Sequence, residues 1–170
     1  MTSLRLEGRA RKLGDDINTD YIIASVRKKE TLDPKELSAF LFESVDPAFA
    51  ASIEPGDVLV AGKNFGCGSA MEVAVSVPLA AGISAVLAKS FARTYYRNAI
   101  NNGLIPIECD TEAIAEGDLL TIELHRNRLI VRNENGDLDL TGAPVMGVAL
   151  DILLAGGLVP YIRQHGGFAT

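Results

Sequence analysis

Residues 58–88 read VLVAGKNFGCGSAMEVAVSVPLAAGISAVLA, and the succession of textures within them decides the fold. A short β-branched run, VLVAG at 58–62, gives way to a glycine-punctuated turn, then to an apolar helix predicted over about 70–81. A second run, ISAVLA at 83–88, follows. Strand, helix and strand in this order make the unit from which α/β folds are built. Pro78 falls inside the helix, which is expected to kink or end near Val77.

Working outward, SFARTYYRNAINNG at 90–103 carries Phe91, Tyr95 and Ile100 on a helical spacing and closes on Asn102-Gly103, a left-handed stop before the strand LIPIEC at 104–109. LLTIELH at 119–125 and RLIVRN at 128–133, joined by Arg126-Asn127 and followed by the turn Asn135-Gly136, predict a hairpin. PVMGVALDILLAGG at 144–157 reads as a closing helix with a glycine stop and a short tail after it. Upstream, LDPKELSAFLFESV at 32–45 predicts a helix with Asp33 as N-cap, Pro34 at its first position and Glu36 at N3. YIIASV at 21–26 reads as a strand or extended loop. The layout is α/β, and 170 residues, nearly half of them apolar, fit one domain spanning 1–170.

With 16 Lys and Arg against 22 Asp and Glu, the net charge is −6. A surface that neutralises phosphates needs clustered cations, so nucleic acid is not the expected partner. Cys67 and Cys109 stand outside any CxxC or Cys/His spacing, which points to reduced thiols in a cytoplasmic protein rather than a disulfide framework or a zinc site. The N-terminal MTSLRLEGRARKLG has no apolar core of the kind an export signal needs. The one membrane-like stretch, 142–162, holds Asp151 near its centre, where a charge costs about 2.5–3.5 kcal/mol in a spanning helix, and is read as buried.

The turn itself is suited to an anion. Gly66 and Gly68 let several N–H groups face one point, and a helix opening at Ala70 behind Ser69 adds the positive end of its dipole. Ser69 with Glu72 is equally an S-x-x-E capping box, in which both side chains only satisfy backbone donors. Capping and chemistry therefore compete for one hydroxyl. Asp20, in GDDINTD, is either a turn residue or a site carboxylate. Arg27, Lys28 and Lys29 either grip an anion or form a solvated face. Arg93 and Arg97, four apart with Asn98 and Asn101 nearby, read as structural or interfacial. Cys67 reads as a small packed residue, and neither His125 nor His165 has a partner placed by spacing.

Three separated segments, KLGDDINTDYII at 12–23, VLVAGKNFGCGSAMEVA at 58–74 and GISAVLAKSFARTYYRNAINNGLIPIEC at 82–109, together resemble the small subunits of the aconitase-like hydro-lyases, above all those of 3-isopropylmalate dehydratase and homoaconitase. The likeness continues into the ending ILLAGGLVPYIRQHG. It implies a swivelling β/β/α domain that closes over an active site carried mainly by a separate large subunit. There a [4Fe-4S] cluster, held by three large-subunit cysteines and by nothing in this chain, acts as Lewis acid on a hydroxy acid. The implied reaction removes water from a hydroxy di- or tricarboxylic acid and adds it back, most directly 3-isopropylmalate to 2-isopropylmalate in leucine biosynthesis.

In the family's loop, G-x-G-S-S-R-E-H, the first serine is the proposed base and falls on Ser69, with Gly66, Gly68 and Glu72 also matching. Asp20 matches the aspartate of the family's TD motif. The resemblance thus implies Ser69 and Asp20 as catalytic, and Arg27, Gly66, Gly68, Ala70 and Met71 as substrate-binding. Ala70, Met71 and Val73 depart from the motif, and with Met71 the guanidinium that grips a substrate carboxylate is missing. Either the substrate lacks that carboxylate, another cation replaces it, the chain serves a paralogue acting on another substituted malate or homologous acid, or it is a non-catalytic binding or regulatory subunit.

Overall fold

The structure, a computed structural model, describes residues 3–135 and 138–167. In chain order its elements are β1 (Ser3–Lys12), α1 (Thr19–Ile22), α2 (Pro34–Leu37), α3 (Phe49–Ser52), β2 (Val58–Val60), α4 (Val73–Ala81), β3 (Ala85–Ala88), α5 (Arg93–Asn102), β4 (Ile105–Glu108), β5 (Leu119–His125), β6 (Arg128–Asn133), β7 (Leu138–Thr141), α6 (Val148–Leu154) and α7 (Leu158–His165).

The α/β expectation holds. A curled seven-stranded sheet runs in the order β4-β3-β2-β1-β5-β6-β7, parallel from β4 to β1 and antiparallel from β1 to β7. The long β1 joins the halves: Ser3 to Arg9 pair with β5, and Ala10 to Lys12 with β2. Its alternation of charged and apolar residues was legible in the N-terminal sequence as period-two texture, yet no strand was expected there. The predicted β5–β6 hairpin forms, with His125 opposite Arg128. Gly136 of the turn expected after it lies outside the described residues.

Both faces of the parallel half are covered. Leu59, Val86 and Ala88 pack with Ile22, Leu37, Phe42 and Tyr95, while Val58, Val60, Ala85 and Leu87 pack with Ile122, Leu150 and Tyr161. Burial on both sides is why these strands read as continuous apolar runs. The stretch 142–162 divides between α6 and α7 across Gly156-Gly157, so the predicted tail is largely a helix. No helix among the described residues is long and apolar enough to cross a membrane.

Three expectations are corrected. YIIASV is not extended: the Asn18 side chain accepts from the Asp20 N–H (2.9 Å), α1 turns the chain, and a 3-10 turn follows over Ser25–Lys29. The helix expected over 32–45 opens as predicted, with Asp33 accepting from the Lys35 N–H (2.9 Å). It then tightens to a 3-10 turn at Ser38–Phe40 and breaks at Phe42, whose φ is 55°. The fully buried Phe42 donates its N–H to the Ile22 carbonyl (3.0 Å), so tertiary burial overrides local propensity.

Finally, α4 starts at Val73 rather than Ala70 and passes through Pro78 to Ala81. Proline removes the N–H that would reach the Ala74 carbonyl four residues back. Tyr95 Oη donates to that carbonyl instead (3.0 Å), from within the core.

Candidate active site

Three loops leave the carboxyl ends of the neighbouring parallel strands β1, β2 and β3, the usual position for ligand sites in open parallel sheets. These are the same three segments that carry the resemblance. The middle loop is held on both flanks as though strand pairing continued. On one side the Gly66 N–H donates to Ile17 O (2.8 Å) and the Thr19 N–H to Cys67 O (2.8 Å). On the other the Phe65 N–H donates to Ser90 O (3.0 Å) and the Ala92 N–H to Phe65 O (2.9 Å).

Within this clamp the two glycines are required twice over. Gly66 has φ 81°, and a Cβ there would stand 2.2 Å from Tyr95 Cγ. Gly68 has φ 93°, and its Cβ would stand 2.6 Å from the Asn18 amide. Both conformation and space exclude a side chain.

The loop and the start of α5 enclose a cleft of about 100 Å³. Gly66, Gly68, Ser69, Ala70 and Met71 line one side with Thr19, and Arg93, Thr94, Tyr95 and Asn98 line the other. The capping box is not formed: Glu72 occupies the N-cap position of α4 without a side-chain bond, and Ser69 stands outside the helix. Thr19 Oγ1 donates to the Ser69 carbonyl (2.8 Å) and fixes the residue. Among the described residues the Ser69 hydroxyl has no partner, and the backbone N–H groups of Gly68, Ser69, Ala70 and Met71 find no acceptor. The dipole expected behind Ser69 has moved three residues along the chain; the open N–H groups remain.

Met71 is only 6% exposed and belongs to the core, with Ser25 Oγ 3.7 Å from its sulfur. The same Ser25 hydroxyl donates to Asp20, and the Ser25 N–H does so at 3.0 Å. Those two bonds hold the Asp20 carboxyl below the usual carboxylate range, so it is an anion at neutral pH. Asp20 therefore sits behind Met71, one hydroxyl away from the cleft wall. Arg27 is not brought to the cleft: it forms a fork with Glu43 (2.8 Å at each nitrogen), and its guanidinium lies 3.9 Å above the Phe40 ring.

The structure adds Arg93, Thr94 and Asn98 to the residues that the loop motif points to. Their segment carries part of the resemblance, but nothing in the spacing of SFARTYYRN points back to Ser69; the adjacency of β3 to β2 brings them there. His125 lies on β5 near Glu123 (3.8 Å), and His165 stacks on Tyr161; neither lines the cleft.

A cluster that takes three thiolates does not fit this chain, which has two cysteines. Burial, with Asp110 beside it, pushes the Cys109 thiol up to about 11, a protonated group at neutral pH.

The model of the aconitase C-terminal domain family matches residues 13–112. The methanogen homoaconitase small subunit of Methanocaldococcus jannaschii is 45% identical over 160 residues, 94% of this chain and 92% of that protein. The 3-isopropylmalate dehydratase small subunit 2 of Archaeoglobus fulgidus is 44% identical over 163 residues, 96% and 98% of the two chains. The crystal structure of a 3-isopropylmalate dehydratase (leuD) from Methanocaldococcus jannaschii superposes with a TM-score of 0.89 at 43% identity, covering 96% of each chain.

Proposed function

This chain belongs to the aconitase C-terminal domain family, and from that premise we propose that it is the small subunit of a hydro-lyase that interconverts 3-isopropylmalate and 2-isopropylmalate. It works with a separate large subunit, which carries the [4Fe-4S] cluster. The observation that carries the reading is the Ser69 hydroxyl, unpartnered and held in a cleft at the carboxyl ends of three parallel strands.

In this reading residues 1–170 move as one swivelling domain that closes the cleft over a substrate presented by the partner. As an alkoxide, Ser69 Oγ takes the proton from the carbon next to a carboxylate and becomes a neutral hydroxyl. The electron pair of that C–H bond enters the new double bond as the C–O bond on the neighbouring carbon breaks, and that oxygen leaves with a proton as water, a departure that the Lewis acid of the large subunit would assist. On hydration the proton returns by the same path. A serine is a poor base in water, and the open N–H groups of residues 68–71 supply the stabilisation its anion needs. Asp20, kept ionised by Ser25, positions Met71 and the cleft wall. The reaction runs in the cytoplasm, where Cys67 and Cys109 stay as thiols.

The test is to mix the chain with an iron-sulfur large subunit and follow the ultraviolet absorbance of the unsaturated acid formed from 2- and 3-isopropylmalate, alkylmalates, homocitrate and citrate. Turnover of the isopropylmalates is the expected result. One observation favours a second reading: Met71 makes one wall of the cleft apolar where the motif has a cation. Turnover confined to another substituted malate would select that reading, and a stable complex silent on every acid would indicate a non-catalytic subunit.

A further inference from the structure

We infer that Arg93 is the cation that grips a substrate carboxylate in this cleft, taking from α5 the task that Met71 cannot perform. The inference rests on the hydro-lyase reading and names the group that reads the diacid.

Three observations converge on Arg93. It lines the cleft opposite Ser69, and its guanidinium has no hydrogen bond or ion pair among the described residues. That is unlike Arg9, Arg11 and Arg132, each of which is matched to a carboxylate. The other candidate is already used: to reach a ligand, Arg27 would have to give up both bonds to Glu43 and its seat on Phe40. The place of Arg93 is also fixed relative to Ser69. The residue before it, Ala92, donates its N–H to Phe65 of the same loop (2.9 Å), and Tyr95, two residues on, packs against Gly66.

The chemistry is specific. Among the described residues, Ser69, Thr94 and Asn98 offer side chains that no other group engages, on either side of the Arg93 guanidinium. A guanidinium fork binds a carboxylate through two parallel N–H bonds, which fixes orientation as well as charge. Arg93 also borders a neighbouring cavity of about 410 Å³ that includes Phe91, Tyr96, Arg97 and Glu108. A carboxylate held at Arg93 therefore leaves room beyond it for the remainder of a substituted malate.

The experiment uses the reconstituted two-subunit enzyme and the diacid it turns over best, with the monoester of that diacid as a probe in which one carboxylate is masked. Arg93→Gln and Arg93→Lys are compared with the wild type and with Ser69→Ala. Arg93 is exposed, so the variants should keep the melting temperature, and the affinity for the partner is measured beside KM so that a loss of assembly is told apart from a loss of substrate binding.

Arg93→Gln is expected to raise KM for the diacid on the order of 100-fold, with a smaller change in kcat, and to abolish the preference for diacid over monoester. Arg93→Lys should restore part of that preference. An unchanged diacid KM in Arg93→Gln, with Ser69→Ala inactive, overturns the role of Arg93 and leaves the hydro-lyase reading standing. Full turnover by Ser69→Ala, or a wild type silent on every acid, overturns the hydro-lyase reading and this inference with it. A loss of turnover in Arg93→Gln that spares the diacid preference makes the residue structural and refutes the assignment.

Discussion

Ser69 shows how much one hydroxyl depends on where its helix begins. Had α4 opened at Ala70, the side chain would have been consumed as a cap; because the helix opens at Val73, the hydroxyl has no partner among the described residues and stays in the cleft. Stability and activity separate sharply at this residue. Ser69→Ala removes no side-chain bond among the described residues, so its denaturation midpoint and its assembly with the large subunit should match the wild type. Turnover should fall by about 100-fold or more, the usual weight of a general base. A variant that turns over normally would return Ser69 to a merely structural role. Gly66 and Gly68, by contrast, were legible as turn glycines from sequence, but what they make room for, the Tyr95 ring and the Asn18 amide, comes from segments 29 and 50 residues away.

At the scale of elements, α4 and α5 depend on one another through a single hydrogen bond. The proline rule predicts a break near Val77, and the rule is right about the missing donor. The helix continues because Tyr95 Oη reaches the Ala74 carbonyl that Pro78 leaves open. Burial pushes the Tyr95 phenol well above its ordinary range, so it keeps its proton and donates at every working pH. Tyr95→Phe should cost roughly 1–3 kcal/mol by leaving a buried carbonyl unsatisfied. Pro78→Ala restores a backbone donor for the same oxygen, so Tyr95→Phe should cost clearly less in that background. Equal costs in a double-mutant cycle measured by urea denaturation would show that the two residues are not coupled.

At the scale of the molecule, the join between the parallel and antiparallel halves is electrostatic as well as hydrogen-bonded. Asp57, 2% exposed at the start of β2, meets Arg9 (2.9 Å) and Arg11 (3.4 Å) from β1 and accepts from the Glu54 N–H (3.0 Å). Burial by itself pushes the Asp57 carboxyl up; the guanidinium of Arg9, the Glu54 N–H and Arg11 outweigh it and hold the carboxyl below the usual aspartate range.

A folded value below the unfolded one means that the contribution to stability is present above about pH 4 and is lost as the pH falls through the lower folded value. Asp57→Asn should lower stability at pH 7 by roughly 1–3 kcal/mol, because Arg9 and Arg11 lose the buried carboxylate they share, Arg11 keeping Glu116 (2.9 Å) as its other partner. The variant should also lose the matching part of the acid dependence. Urea titrations at pH 7 and pH 3 check this, and an unchanged difference between the two pH values would refute it.

The local patterns that sequence determines are those whose cause lies within a few residues. The strand runs at 58–62 and 83–88, the Asp33-Pro34 helix start, the left-handed stop at Gly103 and the 119–133 hairpin all came from period, capping and turn chemistry, which neighbours along the chain supply. The motif likeness at Gly66, Gly68 and Ser69 was legible for the same reason. Tertiary structure decided what depends on distant partners. The sheet order sets α5 against the glycine loop and brings Arg93 to Ser69. Glu43 occupies Arg27, Tyr95 rescues Pro78, and the buried Phe42 ends a helix whose own sequence would have carried it further. Each of these follows from groups more than a dozen residues apart meeting in a low-dielectric interior, where an unmet donor or charge costs more than a local preference is worth.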